Sequence, residues 1–247
     1  MATVSPIEMI GTMVLNGADD LWNHFSSIDH LLKRYVIVDN SMGKYPAVRG
    51  VIQQIQQDKP EHISEVVILQ NNLNVGFSGS VNQLVRQNTD CPYWCIFSVD
   101  WHPRPGELAK LAERLTKPFT QFLCDKTMSG YSAMVFKTQL IQKVGLMDEN
   151  FFPAYFEDND HRYRMELTGL SWDYFQMAFD HKVSSTLHSN RHFENRNSVT
   201  YHNNAMYYIR KWGGLPGNEQ YESPFDSEAP VSYWGYDPKR SEQQRWV

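Results

Sequence analysis

The chain has 247 residues, of which 41% are hydrophobic and 21% charged, with a formal net charge of −5 at pH 7. This is the make-up of a soluble globular protein long enough for one sizeable α/β domain. The acidic balance leaves no excess of Lys and Arg to neutralise phosphates, which excludes nonspecific nucleic-acid binding. No apolar run approaches the roughly 20 residues that span a bilayer.

Cys91, Cys95 and Cys124 are odd in number and lack metal-site spacing, which fits free thiols in a reducing compartment. The N-terminus lacks the basic-then-apolar pattern of a signal peptide, so a soluble, cytoplasmic protein is expected. Trp and Tyr gather in the last third of the chain, as in a sugar-stacking surface or simply a well-filled core.

Taken in order, Ile7–Leu15 reads as a first strand and Asn16-Gly17 as the turn that leaves it. Leu21, Trp22, Phe25, Ile28, Leu31 and Leu32 then fall at helical spacing, predicting a helix over 18–32. Tyr35-Val-Ile-Val38 is apolar and rich in β-branched residues, as a strand buried on both faces requires, and it ends in Asp39-Asn-Ser41. A helix over 48–56, a strand over 66–69 and a helix through Val81, Leu84 and Val85 follow. Trp94–Val99 is a fourth strand, and it delivers Asp100-Trp-His102; Pro103 and Pro105 then precede a helix over 106–115.

Strands alternating with helices predict a mostly parallel sheet with right-handed crossovers. Ligands of such sheets bind beyond the carboxyl ends of the strands. Asn16, Asp39, the Asn71–Gly79 loop and Asp100 all fall at such ends. Beyond Phe122 the rhythm changes. A strand is expected over 128–136, a short helix over 139–144, a helix over 157–168 closed by Gly169, a strand over 172–179 and a helix over 201–212. From Leu215 the composition is that of an extended tail pinned by Trp234 and Trp246.

Each polar element carries two readings. Asp100 suits a hard cation, Mg²⁺ or Mn²⁺, that would neutralise a diphosphate leaving group, with His102 adding a nitrogen ligand; equally it caps the turn before Pro103. Asp39 is placed to accept a hydrogen bond from a base or ribose, or else forms an Asx-turn with Ser41. The Asn74-Val-Gly76-Phe-Ser-Gly79 loop has neither the Walker nor the dinucleotide glycine spacing; it brings backbone to a nucleotide or merely starts a helix.

His181, His188, His192 and His202 share one polar segment, and His188 is singled out to complete a metal or diphosphate site because it follows the apolar stretch ending at Leu187. Tyr201, Asn203 and Asn204 fit acceptor or phosphate contacts as well as a helix surface. Lys211-Trp-Gly-Gly214 reads as a helix end. No Gly-x-Ser-x-Gly elbow and no His-Glu-x-x-His helix is present, which removes acyl transfer and zinc hydrolysis.

Between Val144 and Arg164, five carboxylates, Asp148, Glu149, Glu157, Asp158 and Asp160, lie among Phe151, Phe152, Tyr155 and Phe156. Burial by rings raises a carboxylate pKa and Arg162 and Arg164 lower it, so one of these acids is suited to work as a tuned base; helix capping is the competing reading. Asp160 is expected to pair with Arg164, one helical turn on.

Tyr35–Ser41, Asn72–Asn82, Ser98-Val-Asp100 and Val144–Asp148 with Glu157-Asp-Asn-Asp160 and Arg164 together resemble the GT-A fold glycosyltransferases, family-2-like, in the group that includes bacterial rhamnosyltransferases. A soluble, anchor-free chlorovirus-type glycosyltransferase is one form of that resemblance. It runs from about residue 8 to 214, nearly the whole chain. It implies a single GT-A domain over 1–214, with a nucleotide-binding half over 1–115 and an acceptor half over 116–214, and a packed tail over 215–247.

The implied reaction is inverting transfer from a nucleotide-diphosphate sugar, a UDP sugar first among them, to a glycan hydroxyl, with Mn²⁺ or Mg²⁺ holding the diphosphate. By position, Asn16, Asp39, Asn74, Gly76 and Asp100 would bind nucleotide; Asp100, His102 and His188 would hold metal. Asp158 would be the general base, and Asp148, Glu157 and Trp212 would face or orient the acceptor. His102 departs from the family's Asp-x-Asp pattern. The alternatives are a catalytically silent binding module of the same fold and, ranked lower, a nucleotidyltransferase, for which the acidic Asn16–Asp20 loop is ill suited.

Overall fold

The computed structural model describes residues 5–126, 130–181 and 191–231, the side chains of 191–197 excepted. The described chain divides into two compact units, one of residues 5–74, 83–126, 130–137 and 172–181, the other of 75–82, 138–171 and 191–231.

The first unit holds a seven-stranded sheet. Its strands are β1 (Ile7–Val14), β2 (Leu32–Asp39), β3 (Ile63–Gln70), β4 (Trp94–Phe97), β6 (Gln121–Leu123), β7 (Ala133–Phe136) and β8 (Asp173–Tyr174), in the order β3-β2-β1-β4-β7-β6-β8. β3, β2, β1 and β4 run parallel, and β7 is antiparallel to both β4 and β6. The fold is therefore the mostly parallel α/β sheet the sequence predicts. β5 (Trp101–Pro103) and β9 (Phe179–His181) form a separate antiparallel pair.

In β2, Tyr35, Val36, Ile37 and Val38 are all fully buried, so both faces of the strand are covered, as a central parallel strand requires. Tyr35 and Ile37 join Leu21 and Phe25 of α1 (Ala18–Ser26), Val48, Ile52 and Ile55 of α2 (Pro46–Gln57), and Leu108, Leu111 and Ala112 of α4 (Glu107–Leu115) in one core. The i, i+3, i+4, i+7 spacing of those helical residues puts them on one stripe, and each Leu, Ile, Val or Phe among them contributes roughly 1.5–3 kcal/mol when fully buried. Gly11 of β1 lets the Leu84 side chain pack directly on the strand; a Cβ there would stand 2.7 Å from a Leu84 methyl and displace it.

Several expected boundaries move. α1 ends at Ser26 rather than Leu32; Leu32 instead opens β2 and pairs with Ile7 and Ile63, while Leu31 is 43% exposed. The strand expected over 172–179 is two short strands in different sheets. Between them Phe175 and Met177 donate their N–H groups to Leu123 and Cys124, so the segment follows the end of β6 before it crosses to β5.

The second unit contains α5 (Thr138–Val144), α6 (Glu157–Leu167) and α7 (Arg191–Trp212). α6 ends in a Schellman cap: Gly169 takes φ +72°, its N–H bonds Glu166 at 2.9 Å and that of Leu170 bonds Met165 at 2.8 Å. α7 is 22 residues long and absorbs half of what reads as a polar His-rich segment. After Gly213 the chain returns along the helices. Gln220 and Tyr221 donate to the Trp212 carbonyl, and Tyr163 donates to that of Tyr221. Trp234 and Trp246 lie outside the described residues. Among the described residues no helix is long and apolar enough to cross a membrane.

Candidate functional site

In the first unit, Asn16, Asp39, Asn71 and Asp100 stand at or just past the carboxyl ends of β1, β2, β3 and β4, on one edge of the parallel sheet. Asp39 is buried and its Oδ1 accepts the Ser41 N–H at 2.8 Å, an Asx-turn that fixes the carboxylate at the strand end. Asn71 donates its N–H to the Asp39 carbonyl at 2.9 Å and its Nδ2 to Asn40 Oδ1 at 3.0 Å, lacing the ends of β2 and β3 together.

Asp100 meets a histidine, though a different one from that singled out in the sequence. The β5–β9 register sets Trp101 opposite His181, and His181 Nε2 lies 3.6 Å from Asp100 Oδ1. Trp101 anchors the pair, its ring 5.0 Å from that of Phe179. His102 donates from Nε2 to the Val99 carbonyl at 3.0 Å, which leaves Nδ1 as its one possible ligand atom. Behind it His24, buried on α1 and bonded through Nδ1 to Tyr35 Oη at 2.8 Å, is lowered to about 3 by burial and by His102, and stays neutral. His188 lies outside the described residues.

Among the described residues no group of three or more His, Cys, Asp or Glu is placed to hold a metal ion. A carboxylate and an imidazole at one point suit a cation that arrives with a diphosphate and takes its remaining ligands from phosphate and water. They do not suit a structural metal with a full protein cage.

In the second unit the first turn of α6 carries three carboxyls in three different states. Asp160 is fully buried; burial alone would raise it, but the Lys211 ammonium and the Arg164 guanidinium bring it below its ordinary value. Arg164 Nε donates to Asp160 Oδ2 at 2.9 Å, the i, i+4 pair expected from the sequence, and Trp212 Nε1 donates to Oδ1 at 2.9 Å. Glu157 is pushed well above the ordinary range, first by burial and then by Asp158 and Asp160; among the described residues its Oε2 has no hydrogen-bond partner. Asp158 is only half-buried. Burial raises it, while the Asn159 N–H at 2.8 Å and the Arg162 charge hold that rise in check.

Asp148 is tied into the interior of this unit. Its carboxylate accepts from Lys211 Nζ at 2.8 Å, Tyr207 Oη at 2.9 Å and the Asn150 N–H at 3.0 Å. Trp212 is fully buried, and its indole orients Asp160. Gly76 takes φ +71° at the start of α3 (Gly76–Gln87), where a Cβ would stand 2.7 Å from the Pro153 carbonyl; that close approach explains the glycine without a nucleotide. From the sequence Lys211 reads only as a helix end, Asn204 as an acceptor or phosphate contact or a helix surface, and His181 as one of four histidines in a polar segment; only long-range packing gives them these partners.

No family model matches the chain, and no curated protein matches it in sequence. Among solved structures, GalNAc-T7 with UDP, GalNAc and Mn²⁺ superposes with a TM-score of 0.58 at 10% identity, over 85% of this chain and 48% of that one. The fold is GT-A. TarS from S. aureus gives a TM-score of 0.49 at 11% identity, over 82% of this chain and 40% of that one. The inositol-1-phosphate CTP transferase from T. maritima gives 0.48 at 9%, over 78% and 96%. At 10% identity the likeness to GalNAc-T7 concerns the fold alone, and the chain spans about half the length of that structure.

Proposed function

We propose that the chain is an inverting glycosyltransferase that moves a sugar from a nucleotide-diphosphate donor, a UDP sugar first among candidates, to a hydroxyl of a glycan acceptor, with Asp158 as general base. The observation that carries this is the divergence of the three carboxyls at the start of α6: Glu157 buried and pushed well up, Asp160 ion-paired, and Asp158 half-buried with a raised pKa. Neighbouring acids driven to different states mark acid–base assignments. Of the three, Asp158 alone is an accessible carboxylate without a cation bonded to it in the α6 network.

In the reaction the acceptor hydroxyl gives its proton to Asp158 as its oxygen attacks the anomeric carbon from the face opposite the nucleotide. The bond to the diphosphate oxygen breaks, and the leaving diphosphate takes the electron pair. One displacement inverts the centre and needs no enzyme nucleophile. The thiols suit no such role: Cys95 and Cys124 are buried, and burial pushes both thiols up. Asp39, Asn16 and Asn74 take the nucleoside end of the donor. Asp100 and His181 would hold a divalent cation, which supplies charge neutralisation on the leaving diphosphate.

The test is Asp158→Asn. Nucleotide affinity by calorimetry is expected to stay within about twofold while transfer falls by 10²–10⁴-fold, the usual contribution of a positioned base. Retained turnover overturns the assignment, and a wild-type protein that binds a nucleotide sugar yet neither hydrolyses nor transfers it would be a silent binding module.

A further inference from the structure

The turn that launches α6 holds two bulky residues in a region such residues rarely enter: Tyr155 at φ 79° and Phe156 at φ 69°. It is pinned twice within the second unit. Asn204, buried on α7, donates from Nδ2 to the carbonyls of Ala154 at 2.8 Å and Tyr155 at 3.2 Å. The Phe77 N–H donates to the Pro153 carbonyl at 2.8 Å.

The consequence is a split between successive rings. Phe156 is buried between Tyr208, with centroids 5.7 Å apart, and Tyr201, at 5.1 Å. Tyr155 stays half-buried, its ring 5.4 Å from Tyr201 at an interplanar angle of 67°, and Tyr201 is 49% exposed. Asp158 follows three residues on. Tyr155 packs in part against the cluster of Phe151, Phe156, Tyr208 and Trp212, but a glycine would take the same φ without strain, so it is the ring and not the turn that calls for tyrosine there. Strained backbone persists where a ligand is clamped or positioned.

We propose that Tyr155 and Tyr201 form the platform on which the acceptor's sugar ring stacks, with its hydroxyl turned to Asp158. The inference rests on the glycosyl-transfer reading and adds the acceptor class: a glycoside with a C–H-rich ring face, which the electron-rich faces of tyrosine rings attract. Asn204 is a positioning residue that keeps the turn from relaxing.

The experiment uses UDP sugars with Mn²⁺ and a panel of methyl glycosides as acceptors. Tyr201→Ala is expected to raise the acceptor KM about fivefold, a ring-contact effect, while Tyr201→Phe stays near wild type. Tyr155→Gly relieves the backbone, so it is expected to melt at or above the wild-type temperature and still to raise the acceptor KM about fivefold. An unchanged KM in both variants overturns the platform. So does a Tyr155→Gly protein that melts lower, which would make the ring a structural prop. Wild-type protein that hydrolyses the donor but transfers to no glycoside sinks the platform and spares Asp158. Neither hydrolysis nor transfer sinks the glycosyl-transfer reading and the platform with it.

Discussion

His181 Nε2 lies 3.6 Å from Asp100 Oδ1 because three residues of β9 pair with three of β5, not because the two are near in sequence. The pairing makes a definite forecast for the cation. His181→Ala is expected to weaken UDP affinity at least tenfold in Mn²⁺ and hardly at all in EDTA. His102→Ala is expected to cost less, since one nitrogen of that ring is spent on the Val99 carbonyl. Titrating free Mn²⁺ by its electron paramagnetic resonance signal in the presence of UDP separates the two. A His181→Ala variant that loses no more UDP affinity in Mn²⁺ than in EDTA would remove His181 from the ligand set.

What the sequence discloses and what it hides follow from the range of the interactions. The strands β1 to β4 are legible because each is a largely apolar run closed by a polar turn. α6 is legible through its Gly169 cap, and the Asp160–Arg164 pair through helical spacing. The β5–β9 pair is not, since three-residue strands carry no periodicity and their partners are chosen by the packing of Trp101 on Phe179. α7 begins in Arg191-His-Phe-Glu-Asn, which offers no apolar stripe, so its first half reads as loop. Leu31 and Leu32 continue the spacing of α1 by coincidence, and the pull of β2 on Leu32 decides the matter. Lys211 looks like the basic end of a helix, and only the fold supplies the two carboxylates it serves.

The raised pKa of Asp158 fixes the sign of a pH effect. A base must be ionised, so kcat/KM should fall as pH drops through the raised value, and the acidic limb should lie above the ordinary Asp value of about 3.9. A pH–rate profile on wild-type protein checks this. A limb at or below that ordinary value would point to some other base.

Glu157 gives the matching forecast for stability. Its folded pKa lies well above the unfolded one, so its favourable contribution is complete below about 4.3 and is lost as pH rises toward the folded value. Glu157→Gln keeps the neutral shape and removes that loss. The variant is expected to melt at or above the wild-type temperature at pH 8 and to show a flatter dependence of melting temperature on pH between about 5 and 8. A variant that loses more stability at pH 8 than at pH 5 would mean that the native carboxyl is ionised.

Lys211 is fully buried with its ammonium between Asp148 and Asp160, themselves almost wholly buried. Lys211→Met preserves much of the volume but leaves two carboxylates short of a counter-charge, and losing one partner of a buried pair typically costs about 3–5 kcal/mol. Asp160 retains Arg164 and Trp212, whereas Asp148 retains only neutral donors from Tyr207 and Asn150 among its described contacts, so Asp148 bears the larger share. Adding Asp148→Asn to Lys211→Met should therefore recover part of the loss, a coupling of at least about 0.5 kcal/mol in a double-mutant cycle. Urea unfolding of the single and double variants at pH 7 reads both effects, and a single-variant loss under about 1 kcal/mol would show that Lys211 does not hold α7 to the Asp148 and Asp160 carboxylates.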